Sequence, residues 1–193
     1  LMKKINNSYF KGSGNIENLT FAYRIAKSLK VNDATIVEAL NKFKGLPHRQ
    51  EVVFSNKLLT CVNDSKATSF EACLQSLLNY NKIYWIVGGL PKSHDNFNLK
   101  NVSKKIIKAY IIGKSTSFFS RQIGRDVTYA VSNNLSKAIL DISNDIKKKS
   151  GVSKSTILLS PAAASFDQFS NFEDRGNCFK NLVTKKFERM SNV

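Results

Sequence analysis

From Phe70 onwards the chain switches repeatedly between helical and strand-like patterning, and that alternation restricts its fold more than any other feature. A helix is expected over Phe70–Leu78, then a strand over Ile83–Val87 that ends at Gly88-Gly89. A helix near Val102–Ile107 precedes a strand at Ala109–Ile112, and a short helix around Phe118–Ile123 leads to a strand at Val127–Val131. The helix Leu135–Lys149 leads to the strand Thr156–Leu159, and a last helix runs from about Cys178 to Met190. Strands separated by helices imply parallel crossover units, with apolar strands buried on both faces of the sheet. The expected class is therefore α/β, a Rossmann-like three-layer domain with a mostly parallel sheet.

The residues before Phe70 read differently. Ile16, Leu19, Ala22, Tyr23, Ala26 and Leu29 form a helical stripe capped by Asn15, and Asp33 caps a second helix carrying Ile36, Leu40 and Phe43. Gly45-Leu46-Pro47 ends it, because proline cannot continue a helix. Glu51–Phe54 and Leu58–Val62 look like a hairpin around Ser55-Asn56.

Charge and composition exclude several classes. Thirty Lys and Arg against fourteen Asp and Glu give a formal charge of +16, which suits nucleic acid or an anionic surface. The lysines are dispersed, however, and their tightest cluster, Lys147-Lys148-Lys149, lies just before Gly151, where a helix end favours cations. No aromatic-basic string marks an RNA-binding sheet, so no nucleic-acid partner is expected. No apolar run is long enough to cross a bilayer, and residues 1–10 lack the apolar core of a secretory signal, so no membrane partner and a cytoplasmic location are expected. Cys61, Cys73 and Cys178 lack CxxC spacing and read as reduced thiols. With only His48 and His94 beside them, a Cys/His metal site is not expected.

Open α/β sheets bind ligands at the carboxyl ends of their strands. Asn63–Thr68, Gly88–Lys92, Gly113–Ser115 and Ser160–Ser165 all follow strands and should crowd one sheet edge. Asp64-Ser65-Lys66-Ala67-Thr68 offers two readings, a helix cap or an anion site built from free N–H groups, hydroxyls and a lysine. Lys92 is either solvated or a cation held over the edge. The alanines between Ser160 and Ser165 suit close approach of backbone to backbone or to ligand, while Asp167, Asn171 and Glu173 suit capping and bracing. His48 lacks a nucleophile to serve as base. Gly113-Lys114-Ser115-Thr116 imitates the end of a phosphate-binding P-loop, but Lys108 stands where such a loop needs glycine.

Three stretches, Gly45–Glu51 (GLPHRQE), Asn63–Thr68 (NDSKAT) and Ser160–Gly176 (SPAAASFDQFSNFEDRG), resemble the C-terminal domain of the Mur ligases, and among these the ligases that add D-glutamate. The likeness runs from about Phe10 to Met190. It implies a linker remnant over 1–14 and a C-terminal, amino-acid-substrate domain with its leading helices over 15–193. By the matched positions, Lys66, Thr68, Lys92, Ser165 and Phe172 would face D-glutamate, with Lys92 and Ser165 on a carboxylate and Phe172 as a wall. Asn15 and Asn18 would lie near adenine, Arg49 at the ATP phosphates or ribose, and Asp64 at the ribose. The chain departs from the family in having Gly14 in place of a histidine and Leu90-Pro91 in place of a more polar pair.

The resemblance implies ATP-dependent addition of D-glutamate to UDP-N-acetylmuramoyl-L-alanine through an acyl phosphate, with Mg2+, in peptidoglycan synthesis. Such ligases have three domains, and neither the P-loop nor the carboxylates and modified lysine of the central domain occur here. The chain opens on Leu1, as a piece of a longer reading frame would. The expectation is a monomer that binds D-glutamate and part of ATP but does not ligate alone. A binding module of a split enzyme and a degraded gene product remain as alternatives.

Overall fold

A computed structural model describes residues 4–10, 13–148 and 153–187. They fall into two compact units that divide between Leu46 and Pro47.

The first unit holds a 3-10 turn at Ser8–Phe10 and helices α1 (Ser13–Ser28) and α2 (Asp33–Lys42). Helix α1 begins ahead of Asn15, so Asn15 is not its cap; the Asn15 amide instead donates to the Tyr9 carbonyl at 2.7 Å. The cap of α2 is Asn32, whose side chain accepts from Thr35 N–H, and Asp33 sits one residue inside, where its charge complements the helix N-terminus. Phe43 leaves the helix in an extended conformation. Of the expected apolar stripe on α1, Leu19 is buried while Leu29 is 72% exposed, since a pair of helices packs one seam and leaves the flanks open.

The second unit is a six-stranded sheet in the order β1-β2-β6-β3-β4-β5. Its strands are β1 (Glu51–Ser55), β2 (Leu59–Asn63), β3 (Ile83–Gly88), β4 (Ile106–Ile112), β5 (Tyr129–Asn133) and β6 (Ser155–Leu159), with helices α3 (Phe70–Asn79), α4 (Thr116–Ile123), α5 (Leu135–Lys148) and α6 (Phe172–Phe187). Only β1 is antiparallel. It forms a hairpin with β2, whose turn is closed by Asn56 Oδ1 accepting from the N–H groups of Leu58 and Leu59. The remaining pairs, β2·β6, β6·β3, β3·β4 and β4·β5, are parallel. The α/β class with a mostly parallel three-layer sheet is what the alternating pattern requires.

The pleat sorts β3 cleanly. Ile83, Trp85 and Val87 point into a core closed by Phe70, Cys73 and Leu77 of α3 and Phe119 and Ile123 of α4. Tyr84 and Ile86 point into the opposite core, closed by Leu135, Ala138 and Ile142 of α5 and Phe179 and Val183 of α6. A strand buried on both faces cannot alternate polar and apolar residues, hence its continuous hydrophobic run.

One element differs in kind from expectation. The helix expected at Val102–Ile107 is a 3-10 turn, Ser103–Lys105, after which β4 already begins at Ile106. Ile106 pairs with Ile83 of β3, so sheet pairing takes residues whose spacing alone also suits a helix. The final helix is described to Phe187; its expected last turn to Met190, like Lys149 and Gly151, lies outside the described residues.

The end of β3 explains its glycines. Gly88 has φ +134°, and a β-carbon on it would collide with the Ile112 carbonyl; one on Gly89 would collide with the Ala164 carbonyl. Both positions therefore need glycine for backbone conformation and for contact with neighbouring loops. Gly88→Ala is expected to destabilise the second unit by about 3 kcal/mol, as strain adds to overpacking. Urea unfolding followed by Trp85 fluorescence checks this.

Candidate amino-acid site at the carboxyl edge of the sheet

The loops that leave β2, β6, β3 and β4 meet at one edge. Asp64 N–H donates to the Leu159 carbonyl at 2.8 Å, Gly88 N–H to Pro161 at 2.9 Å, and Leu90 and Ala164 exchange backbone hydrogen bonds at 2.9 and 3.0 Å. Ala162 and Ala163 are fully buried in this contact. The alanine run thus serves approach of backbone to backbone.

Asp64 lies beneath the β2 loop and is 6% exposed. Its Oδ2 accepts from Ser76 Oγ at 2.6 Å and Ser160 Oγ at 2.8 Å, and its Oδ1 accepts from Gln50 N–H at 3.2 Å. Burial pushes its pKa up to about 6, against the opposing effect of those donors and of nearby Arg49. Asp64 ties three segments together, the loop after β2, helix α3 and the loop after β6. Arg49 itself is exposed.

A second network fixes the start of that loop. The Asn63 amide oxygen accepts from Ser65 N–H, which orients its nitrogen to donate to His48 Nδ1 at 2.9 Å and Glu51 Oε2 at 3.1 Å. His48 is thereby held on the Asn63 amide. It is a buried brace, with its carbonyl accepting from Lys66 N–H at 3.1 Å. Lys180 of α6 closes the network on Glu51 at 2.7 Å.

On the ligand side, Lys66 Nζ lies 3.8 Å from the centre of the Phe172 ring, and Phe172 opens α6 with its ring edge on His48. Thr68 is half-buried two residues on, and Ser165 is buried at the end of the alanine run. Lys92 is exposed on the loop whose Leu90 bridges Ala164, with its N–H on Asp95 Oδ2 at 3.0 Å. Lys66, Phe172, Ser165 and Lys92 therefore come from segments locked to one another. Asn15 and Asn18 belong to the first unit, half-buried and exposed respectively.

Asn171 and Asp167 brace as expected: Asn171 Oδ1 accepts from Asp174 N–H at 2.7 Å and Asp167 Oδ2 from Lys114 N–H at 2.8 Å. Gly113 N–H is held by the Asn133 carbonyl, so the false P-loop spends its amides on the protein. Among the described residues, no group of three or more His, Cys, Asp or Glu could hold a metal ion. No helix among them is long and apolar enough to cross a membrane.

Sequence reasoning missed Arg175, which is 1% exposed. Its signal was present: Gly176, Phe179 and Val183 mark the buried face of α6, and Arg175 lies among them.

The fold, helices on both faces of a mostly parallel sheet, is that of Mur ligase C-terminal domains, and the chain is similar in sequence to Mur ligases over 90% of its length. It is 39% identical over 173 residues to the UDP-N-acetylmuramoylalanine–D-glutamate ligase of Rhizobium meliloti, a match covering 90% of this chain and 37% of the relative. With the ligase of the same name from a Wolbachia of Brugia malayi it shares 41% over 174 residues, 90% of this chain and 34% of the relative. The chain thus spans a little over a third of such relatives, their C-terminal part. The fold also matches a solved UDP-N-acetylmuramoylalanyl-D-glutamyl-2,6-diaminopimelate–D-alanyl-D-alanyl ligase from Acinetobacter baumannii (TM-score 0.59, 18% identity, covering 89% of this chain and 37% of that one). A further match is the UDP-N-acetylmuramate–alanine ligase of Thermotoga maritima (TM-score 0.57, 14% identity, 94% and 39%). No family model matches the chain.

The buried Asp64 carboxyl sets a pH test. Its folded pKa lies above the unfolded one, so its stabilising contribution is fully present below about pH 4 and is lost as pH rises through about 6. The stability of the wild type relative to Asp64→Asn should fall by roughly 3 kcal/mol between pH 4 and pH 7. Urea unfolding of both proteins across that range measures it.

Proposed function

We propose that this chain is the amino-acid-binding part of a ligase that adds D-glutamate to UDP-N-acetylmuramoyl-L-alanine in peptidoglycan synthesis. The observation that carries the reading is the convergence of Lys66, Phe172, Ser165 and Lys92 on one sheet edge, on loops fixed from below by Asp64. D-Glutamate carries two carboxylates and one amine. Lys92 and the Ser165 hydroxyl take one carboxylate, Lys66 and Thr68 face the other end, and the Phe172 ring excludes water from that side.

Held this way, the amine is presented to an acyl phosphate formed on the other substrate, and its attack yields the amide and phosphate. Forming that acyl phosphate uses ATP. Arg49, exposed and next to the buried Asp64, is assigned to a phosphate or the ribose, which a planar guanidinium suits well. Magnesium and most of the contacts to the ATP phosphates are assigned to the remainder of the ligase. The chain alone is a binding domain that does not ligate, and it works in the cytoplasm as a monomer.

Calorimetry with the purified chain tests this. D-Glutamate should bind in preference to L-glutamate, and Lys92→Ala and Ser165→Ala should each weaken it tenfold or more, about 1.4 kcal/mol. Incubation with ATP, magnesium and UDP-N-acetylmuramoyl-L-alanine should yield no amide product. Product at an enzyme-like rate would overturn the division of labour, and a folded chain without affinity for D-glutamate would mark it as a degraded remnant.

A further inference from the structure

Arg175 stands in the first turns of α6 with its side chain in the interior. Its Nε donates to Ser65 Oγ at 3.0 Å and its Nη2 to the Ser65 carbonyl at 2.9 Å. Nη1 and Nη2 both donate to the Ala163 carbonyl at 3.0 Å. Ser65 Oγ in turn donates to the Phe172 carbonyl at 2.8 Å. One guanidinium thus joins the loop that bears Lys66 and Thr68, the loop that bears Ser165, and the helix that Phe172 opens.

Every one of those acceptors is neutral. Among the described residues no carboxylate pairs with Arg175. Burial lowers its pKa to about 10, with Asp167 acting on it only at a distance. A buried charge without a partner is costly, and neutral donors could bridge two carbonyls at lower cost. Asp167 offsets it only from a distance, Lys66 and Lys92 are cations on the same edge, and the carboxyl of Asp64 turns toward Ser76 and Ser160.

We propose that Arg175 is a positioning residue of the amino-acid site: its fork sets the spacing between Lys66–Thr68 and Ser165, and its unpaired charge makes the site selective for an amino acid with two carboxylates. It acts through Ser65 and Ala163 without touching the ligand. The inference rests on the D-glutamate reading above and sharpens it.

Two variants separate the fork from the charge. Arg175→Lys keeps the charge and loses the planar fork; Arg175→Met keeps most of the volume and loses both. In ligand-free protein, amide exchange at Lys66 and Ser165 should rise together at least tenfold in both variants, while the amides of β3 and β4 keep their protection. Calorimetry should show Arg175→Lys weakening D-glutamate and D-glutamine alike. Arg175→Met should cut the preference for D-glutamate over D-glutamine at least tenfold. Exchange that rises at one loop without the other, or a preference unchanged in Arg175→Met, overturns the proposal. If the wild type binds neither amino acid, the D-glutamate reading fails, and the exchange result alone decides whether Arg175 couples the loops.

Discussion

The loops after β2, β6, β3 and β4 can meet only because almost no side chain stands between them. Gly88 and Gly89 bring the β3 loop against the carbonyls of Ile112 and Ala164, and Ala162 and Ala163 do the same for the β6 loop from the other side. Close approach of this kind leaves backbone N–H and C=O groups buried, and each must find a partner. The exchange between Leu90 and Ala164, and the bond from Gly88 N–H to the Pro161 carbonyl, meet that requirement. The positions of Ser165 and Lys92 follow from it, and Lys66 is tied to the same edge through Asp64 and Arg175.

Two buried ionisable groups finish the edge without forming a pair. Asp64 is held by Ser76 and Ser160 hydroxyls and the Gln50 amide, and Arg175 by Ser65 and Ala163. Burial raises the acid's pKa to about 6, which still leaves it largely ionised at neutrality, and the guanidinium stays protonated with a pKa of about 10. Above those two buried groups, Lys66 and Lys92 make the surface of the edge positive. Such a field favours an anionic ligand and costs stability when no ligand is present.

Much of the fold was legible because strands buried on both faces declare themselves as unbroken apolar runs, as Ile83–Val87 does. The convergence of loops followed from strand polarity alone. Val102–Ile107 was misread because its spacing serves a helix, while pairing of Ile106 with Ile83 is a long-range contact that no local pattern carries. Asp33 lies one residue past the cap it was expected to be, and Asn15 already stands inside α1, since helix ends are the least certain part of a local pattern. Arg175 went unnoticed because the last helix was expected from about Cys178, which left Arg175 in the loop before it, whereas α6 begins at Phe172 and carries Arg175 on its buried face. The roles of Lys66, Thr68, Lys92, Ser165 and Phe172 came from family likeness, since a lysine or serine in a loop has no chemistry of its own until its neighbours are known.

The central claim is that this sheet edge is an amino-acid site, and an amide-resolved NMR titration of the chain with D-glutamate tests it most directly. Saturable shifts confined to Lys66, Thr68, Lys92, Ser165 and Phe172 and their immediate neighbours, with β1 and α5 unmoved, are the predicted result. An absence of saturable shifts, or shifts centred elsewhere on the second unit, would contradict it.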